Sequence, residues 1–249
     1  AMAYWGMAMA NHENEKRATG FIKKARGLLQ GVSRREQLYI ESLTELLLAT
    51  GDKRKRQQTA VDLLEKISQE FPDDLEAKAF YVVRHWQWKL GQSNPALDKV
   101  LDEIFAANPL HPAHHYRIHL WDGANPSNAL QSAALCGEAA PGIAHMWHMP
   151  GHTYDKLKRY AEAAWQQEAS SRADHHHMMH DRVLPDQIHN YAHNQEWLIR
   201  SLSHIGRVKD AVALAKNLIE LPRHPRYNTL TRAGKSASYG RTRLFELLE

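Results

Sequence analysis

Trp147-His148-Met149-Pro150-Gly151-His152-Thr153-Tyr154-Asp155 is the stretch on which the reading of this chain turns. It sets His148, His152 and Asp155 at i, i+4 and i+7, along one face of an α-helix, where side chains four apart start roughly 5–6 Å from one another. The arrangement recurs upstream as His115, His119 and Asp122, and in near copy downstream as His189, His193 and Glu196. Most of the 17 histidines fall between His111 and His193. Three predicted helices thus each carry two histidines and an acid on one face, and the functional question is whether those faces meet.

Working outward, apolar residues recur at three and four throughout, connections are short and polar, and no alternating strand pattern competes. The pattern predicts an all-α chain with helices over 1–11, 14–30, 34–50, 55–71, 74–91, 95–107, 111–121, 126–139, 142–157, 159–176, 186–205, 207–220 and a last one from about 235. Ser33 offers an N-cap, and Phe71-Pro72-Asp73-Asp74 and Asn108-Pro109 each stop one helix before the next begins. The connections are also periodic: Pro72, Pro109 and Pro141 each close a helix pair, and Ala60 and Ala129 stand at equal distances before two of them.

That spacing suggests a helix-turn-helix repeat of about 34 residues, whose signature is W-x2-L-G-x2-Y, then A-x3-F, then P. Trp147-x2-Pro150-Gly151-x2-Tyr154 followed by Ala163 matches it, and on these residues the chain resembles the tetratricopeptide repeat (TPR) family. The departures are Pro150 where the pattern has Leu and Gln167 where it has Phe. Gly206, Ala211 and Pro222 fit the turn, small-residue and stop positions of a further repeat. The resemblance implies a right-handed α-solenoid, one superhelix over 1–249 with its strongest repeats over 74–220, in which the first helix of each pair lines a concave, ligand-binding face. Between Ala163 and Ala211 the spacing exceeds one repeat. The surplus, about 174–186 and containing Asp174-His175-His176-His177-Met178-Met179-His180-Asp181, is expected as a loop or a helix extension.

Composition sets bounds. Hydrophobic content of 43% and charged content of 24% suit a soluble folded protein, and no segment approaches the roughly 18 consecutive apolar residues of a membrane span. The net charge of +4 is spread over both signs, and Lys53 to Arg56 reads as a solvated turn, so neither nucleic acid nor membrane is an expected partner. The single cysteine, Cys136, excludes a disulfide framework and a Cys-rich zinc module, and no Gly-x-Ser-x-Gly or phosphate-cradling glycine loop is present. No secretory leader is visible in this segment. The chain opens and closes in helical pattern, so both ends read as cut from a longer protein, and the compartment stays open.

Neutral imidazole and carboxylate are ligands for zinc, copper, iron or nickel, and sets of histidines with an open position are a usual form of catalytic centre. His115, His119, His148 and His152 form the leading candidate set, with His145, His189 and His193 as further candidates. Asp122, Asp155 and Glu196 are candidate ligands or acceptors that orient a ring nitrogen. Alignment on the repeat puts His119 beside His152 and His85 in the same slot one repeat earlier; His193 aligns with His145, displaced by roughly 10 Å at 1.5 Å per residue. His85, Asn190, Asn194 and Tyr154 complete the expected groove. Pro150 and Gly151 break the local helix rule where the histidines cluster, as functional sites often do. His115-Tyr116-Arg117-Ile118-His119, His148-Met149-Pro150-Gly151-His152 and the pairs His189-Asn190 and His193-Asn194 are similar to segments of a histidine-rich subset of bacterial TPR proteins, which supports a shared site without naming its reaction. The His175 to His177 run reads as a solvated connection, and Trp86, Trp88, Trp147, Trp165 and Trp197 as inter-helix packing.

Three readings remain at this level: a scaffold that holds a peptide, protein or small ligand in a histidine-rich groove predicted to bind zinc, copper or iron; a metal-dependent hydrolytic or oxidative enzyme using the same cluster; and a metal-free structural spacer.

Overall fold

A computed structural model describes residues 1–225 and 235–249, apart from the side chains of His189 and Lys235. The described residues form an all-helical protein with no strand, and helices that follow one another in sequence pack as neighbours within each of two compact units, Ala1–Pro109 and Leu110–Glu249. No described helix is long and apolar enough to cross a membrane.

The first unit holds α1 (Met2–Ala10), α2 (Glu15–Arg26), α3 (Arg34–Leu48), α4 (Lys53–Glu70), α5 (Leu75–Trp88) and α6 (Asn94–Ala107). Their starts are fixed by side chains: Asn14, Ser33, Asp52, Asp74 and Ser93 each accept a hydrogen bond from the amide three residues on, and Glu36 completes a capping box with Ser33. Such caps satisfy amides that the first helical turn leaves unpaired. Trp5, Tyr39 and Phe80 meet edge-on, with centroids 5.4, 6.0 and 6.4 Å apart, tying α1, α3 and α5 together. The Tyr39 hydroxyl donates to Asp74 at 2.8 Å, so one carboxylate caps α5 and anchors α3.

The second unit holds α7 (His114–Asp122), a 3-10 turn over Pro126–Ala129 leading into α8 (Leu130–Ala139), α9 (Ala144–Lys156), α10 (Tyr160–Asp181), a 3-10 turn over Pro185–Gln187, α11 (His189–His204), α12 (Val208–Glu220) and α13 (Lys235–Leu248). Each helix packs on the next, and the alternate helices α7, α9, α11 and α13 also touch in that order. This packing order is compatible with a helical repeat. It places every candidate histidine stripe on adjacent members of one layer. The core beneath is built from Ala192, Leu198, Ile199 and Leu202 of α11 against Ala211, Ala215 and Leu218 of α12.

The predicted helices agree with the observed ones to within a few residues, with one informative difference. α10 runs 22 residues, through the surplus stretch to Asp181, and ends where Arg182 turns into the left-handed region at φ 54°. The excess length therefore emerges chiefly as added helical turns, leaving the His175–His177 run exposed on their surface. Cys136 is fully buried in α8, and burial pushes its thiol up to about 12, far from the thiolate form that nucleophilic chemistry requires.

Where α8 crosses α9 the fit is tight: a Cβ added to Gly137 would lie 2.1 Å from Trp147 Cε3. Trp147 cannot move away freely, because its indole donates to the Pro141 carbonyl at 2.9 Å. Gly137→Ala should therefore overpack this crossing and cost about 1–3 kcal/mol. A lower urea midpoint with unchanged slope would show it.

Candidate metal centre

Packing of α7, α9 and α11 gathers six histidines into two sets. His115, His119 and His145 form one, and His148, His152 and His193 the other; within each set the potential ligand nitrogens all lie within 4.8 Å of one another. The four-residue spacing on α7 brings His115 Nε2 to 2.9 Å from His119 Nε2, and the same spacing on α9 brings His148 Nε2 to 2.8 Å from His152 Nε2. The third ligand of each set comes from the neighbouring helix. The His115 and His145 rings are 4.9 Å apart, and those of His148 and His193 4.8 Å apart.

The favoured quartet of His115, His119, His148 and His152 is thus two pairs, each completed by a histidine of secondary rank in the sequence. His193 does not stand roughly 10 Å out of step. Asn190 meets His145, His193 meets His148 and Trp197 stacks on His152 at 4.0 Å, all at a separation of 45 residues. Counting back from Ala163 and Ala211 assumes a separation of 48. The difference is about one helical turn, and it slides His193 into the His148 set.

The second set is the better organised. Gln167 of α10 donates from Nε2 to the His148 carbonyl at 3.2 Å, which leaves its Oε1 to accept from His148 Nδ1 at 2.7 Å. His148 therefore carries its proton on Nδ1 and presents a bare Nε2. Glu196 accepts from His193 Nδ1 at 3.1 Å, leaving Nε2 of that ring bare also. Carbonyl or carboxylate partners that fix ring tautomers in this way are what metal-ligating histidines usually have. Gly151 makes the arrangement possible, since a Cβ there would sit 2.1 Å from Gln167 Nε2. α9 continues unbroken through Pro150, with Ser170 of α10 donating to the Ala144 carbonyl at 2.8 Å.

Burial disfavours the charged form of four of the six rings. Burial, with His119 and His145 alongside, pushes His115 down to about 3. Burial lowers His119 against an opposing pull from Asp122. It pushes His152 down to about 4, again opposed by Asp122, and drives His148 far below the ordinary histidine range, with His152 and His193 adding to the effect. His148 is 1% exposed while the other five are half-buried.

The acids are placed differently from one another. Asp122 is held by Lys156, whose ammonium is 2.7 Å from its carboxylate, and Asp155 by Arg200 at 3.1 Å. Glu196 accepts a hydrogen bond from a candidate ligand ring, that of His193. Of the expected groove residues, Asn190 approaches His145 Nδ1 at 3.4 Å. Asn194 instead donates to the buried Asp174 at 2.6 Å, Tyr154 lies under the Arg159 guanidinium at 5.0 Å, and His85, in the first unit, packs on Tyr81 at 4.5 Å; none of the three belongs to either set. The His189 side chain lies outside the described residues. Gln167 and Lys156 were not singled out by sequence reasoning. Gln167 did leave a signal, being one of the two departures from the repeat pattern.

Comparison with known proteins finds no family model that matches the chain and no match among curated proteins.

The depressed histidines give metal-free protein an acid-labile centre. Above about pH 6.5 they are neutral folded and unfolded. As pH falls from 6.5 through 4 to 3, the unfolded chain takes up protons that the folded cluster refuses, so stability is lost over that window. Asp174, raised by burial to about 6, has the opposite sign: its contribution is lost as pH rises from 3.8 through 6. Urea midpoints of chelator-treated protein should fall from pH 6.5 to 4, and fall less steeply in His148→Ala/His152→Ala.

Proposed function

We propose that this chain is a helical repeat scaffold of TPR type, a right-handed solenoid, whose second unit binds a transition metal ion through His148, His152 and His193. The observation that carries the reading is the convergence of three imidazoles on one point, with the Nδ1 atoms of two of them engaged by Gln167 and Glu196. The donor set fits the ion. Zn–N bonds of about 2.0–2.1 Å in tetrahedral geometry place ligand nitrogens roughly 3.3 Å apart, so the 2.8 Å His148–His152 contact needs only a small opening of the rings. The proton now shared between those nitrogens is the one that an ion would displace.

Several features favour a reactive or ligand-accepting ion over a purely structural one. Three protein ligands leave at least one coordination position open, and His152 and His193 are not fully buried. An all-imidazole set suits zinc, copper or iron, and by intrinsic affinity copper(II) binds such sites most tightly among the first-row divalent ions. The ligand of the groove, a small molecule or a side chain of a peptide or protein partner, would take the open position. Because protonation of His148 and His152 is suppressed by burial, ion binding would persist to lower pH than in an exposed histidine pair.

The test is elemental analysis of untagged protein purified without chelator or nickel resin. Near-stoichiometric zinc, copper or iron is expected, lost in His148→Ala/His152→Ala while circular dichroism remains helical. Protein that carries no metal and takes up none on dialysis would remove this reading. Gln167→Ala should bind the same ion 10–100-fold more weakly, as read by competition with a chromophoric chelator.

A further inference from the structure

We infer that the two tri-histidine sets form a single two-ion centre, with the Asp122 carboxylate as the group the two divalent transition ions share. This rests on the metal reading above and extends it to the second set and to a seventh ligand.

The sets are contiguous through α9, which gives His145 to one and His148 and His152 to the other; the His145 and His148 rings stack at 5.7 Å. Asp122 stands beside the sets, where α7 is tied to α9. It lies one turn beyond His119 on α7, and its partner Lys156 lies one turn beyond His152 on α9. Lys156 holds both the carboxylate Oδ2 and the backbone carbonyl of Asp122, each at 2.7 Å, so the side chain is fixed between the two helices. Its other oxygen, Oδ1, is buried and has no hydrogen-bond partner. An unsatisfied buried carboxylate oxygen is costly, and a cation is the partner that relieves it.

Charge balance leads the same way. Six neutral imidazoles bring two divalent ions no compensating charge. Asp122 and Asp155 are each ion-paired and each keeps a buried oxygen without a hydrogen bond, but Asp155 is tied to Arg200 of α11, whereas Asp122 is tied between α7 and α9, the helices that supply five of the six histidines. A pair of adjacent ions with open positions and one shared carboxylate is the arrangement that clamps both the attacking and the leaving oxygen in hydrolytic displacement.

The experiment is a titration of chelator-treated protein with copper(II), with bound equivalents and electron paramagnetic resonance read together. Wild type should bind one equivalent more than His115→Ala/His119→Ala and one more than His148→Ala/His152→Ala, a difference that cancels adventitious binding at the exposed His175–His180 run. Its spectrum should show the intensity loss of two coupled ions. Asp122→Asn should weaken the second ion about tenfold or more and abolish the coupling, whereas Lys156→Met, which removes the ion pair and the bond to the Asp122 carbonyl but leaves the carboxylate, should retain both. Loss of an equivalent in only one of the two double variants, two uncoupled signals, or an Asp122→Asn protein indistinguishable from wild type would each overturn the inference. If only His148→Ala/His152→Ala loses an ion, the single-ion reading survives without this one; if neither variant loses any, both fail.

Discussion

The second unit depends on one constraint: imidazoles that touch must stay uncharged. Two protonated rings with nitrogens under 3 Å apart would repel strongly in a partly desolvated site, and His115–His119 and His148–His152 both stand at that distance. Burial supplies the neutrality, and neutrality leaves bare ring nitrogens. Those nitrogens are aimed inward because the outer ones are taken up by Gln167, by Glu196 and, at longer range, by Asn190.

The helix carrying this cluster is shaped for it at the expense of local propensity. Proline in a helix interior removes a hydrogen bond, and glycine adds chain entropy, yet α9 contains both in sequence. Glycine is explained by Gln167, whose amide occupies the space a Cβ would need. The neighbouring helix adds bonds of its own, with Gln167 and Ser170 donating to the His148 and Ala144 carbonyls. Two unfavourable residues and one unusual glutamine thus form a single device, in which α10 reaches into α9 to hold His148.

The acids divide the labour. Glu196 orients a ring. Asp155 is neutralised by Arg200, whose guanidinium also lies 5.3 Å over Trp197, the residue stacked on His152. Asp122 binds Lys156 and so ties α7 to α9. The His-x3-His-x2-acid pattern repeated along the chain therefore does not produce three equivalent sites. Each acid acquires its role from the helix opposite.

The helices, their starts and stops, and the histidine pairs within each were legible in the sequence, because they rest on local physics: apolar periodicity, capping side chains, and the i,i+4 geometry that makes His115 meet His119 and His148 meet His152. The surplus length after Asp174 was legible too, though only the structure decided that it becomes helix in α10. What the sequence could not supply was the register between helices distant in the chain. The repeat count aligned His193 with His145; packing slid α11 by about a turn and joined it to His148. Such a slide depends on how side chains interdigitate across an interface, which no pattern along one helix encodes. The partners Gln167 and Lys156 were hidden for the same reason, since an ordinary polar residue becomes an orienting group only through what the fold brings against it.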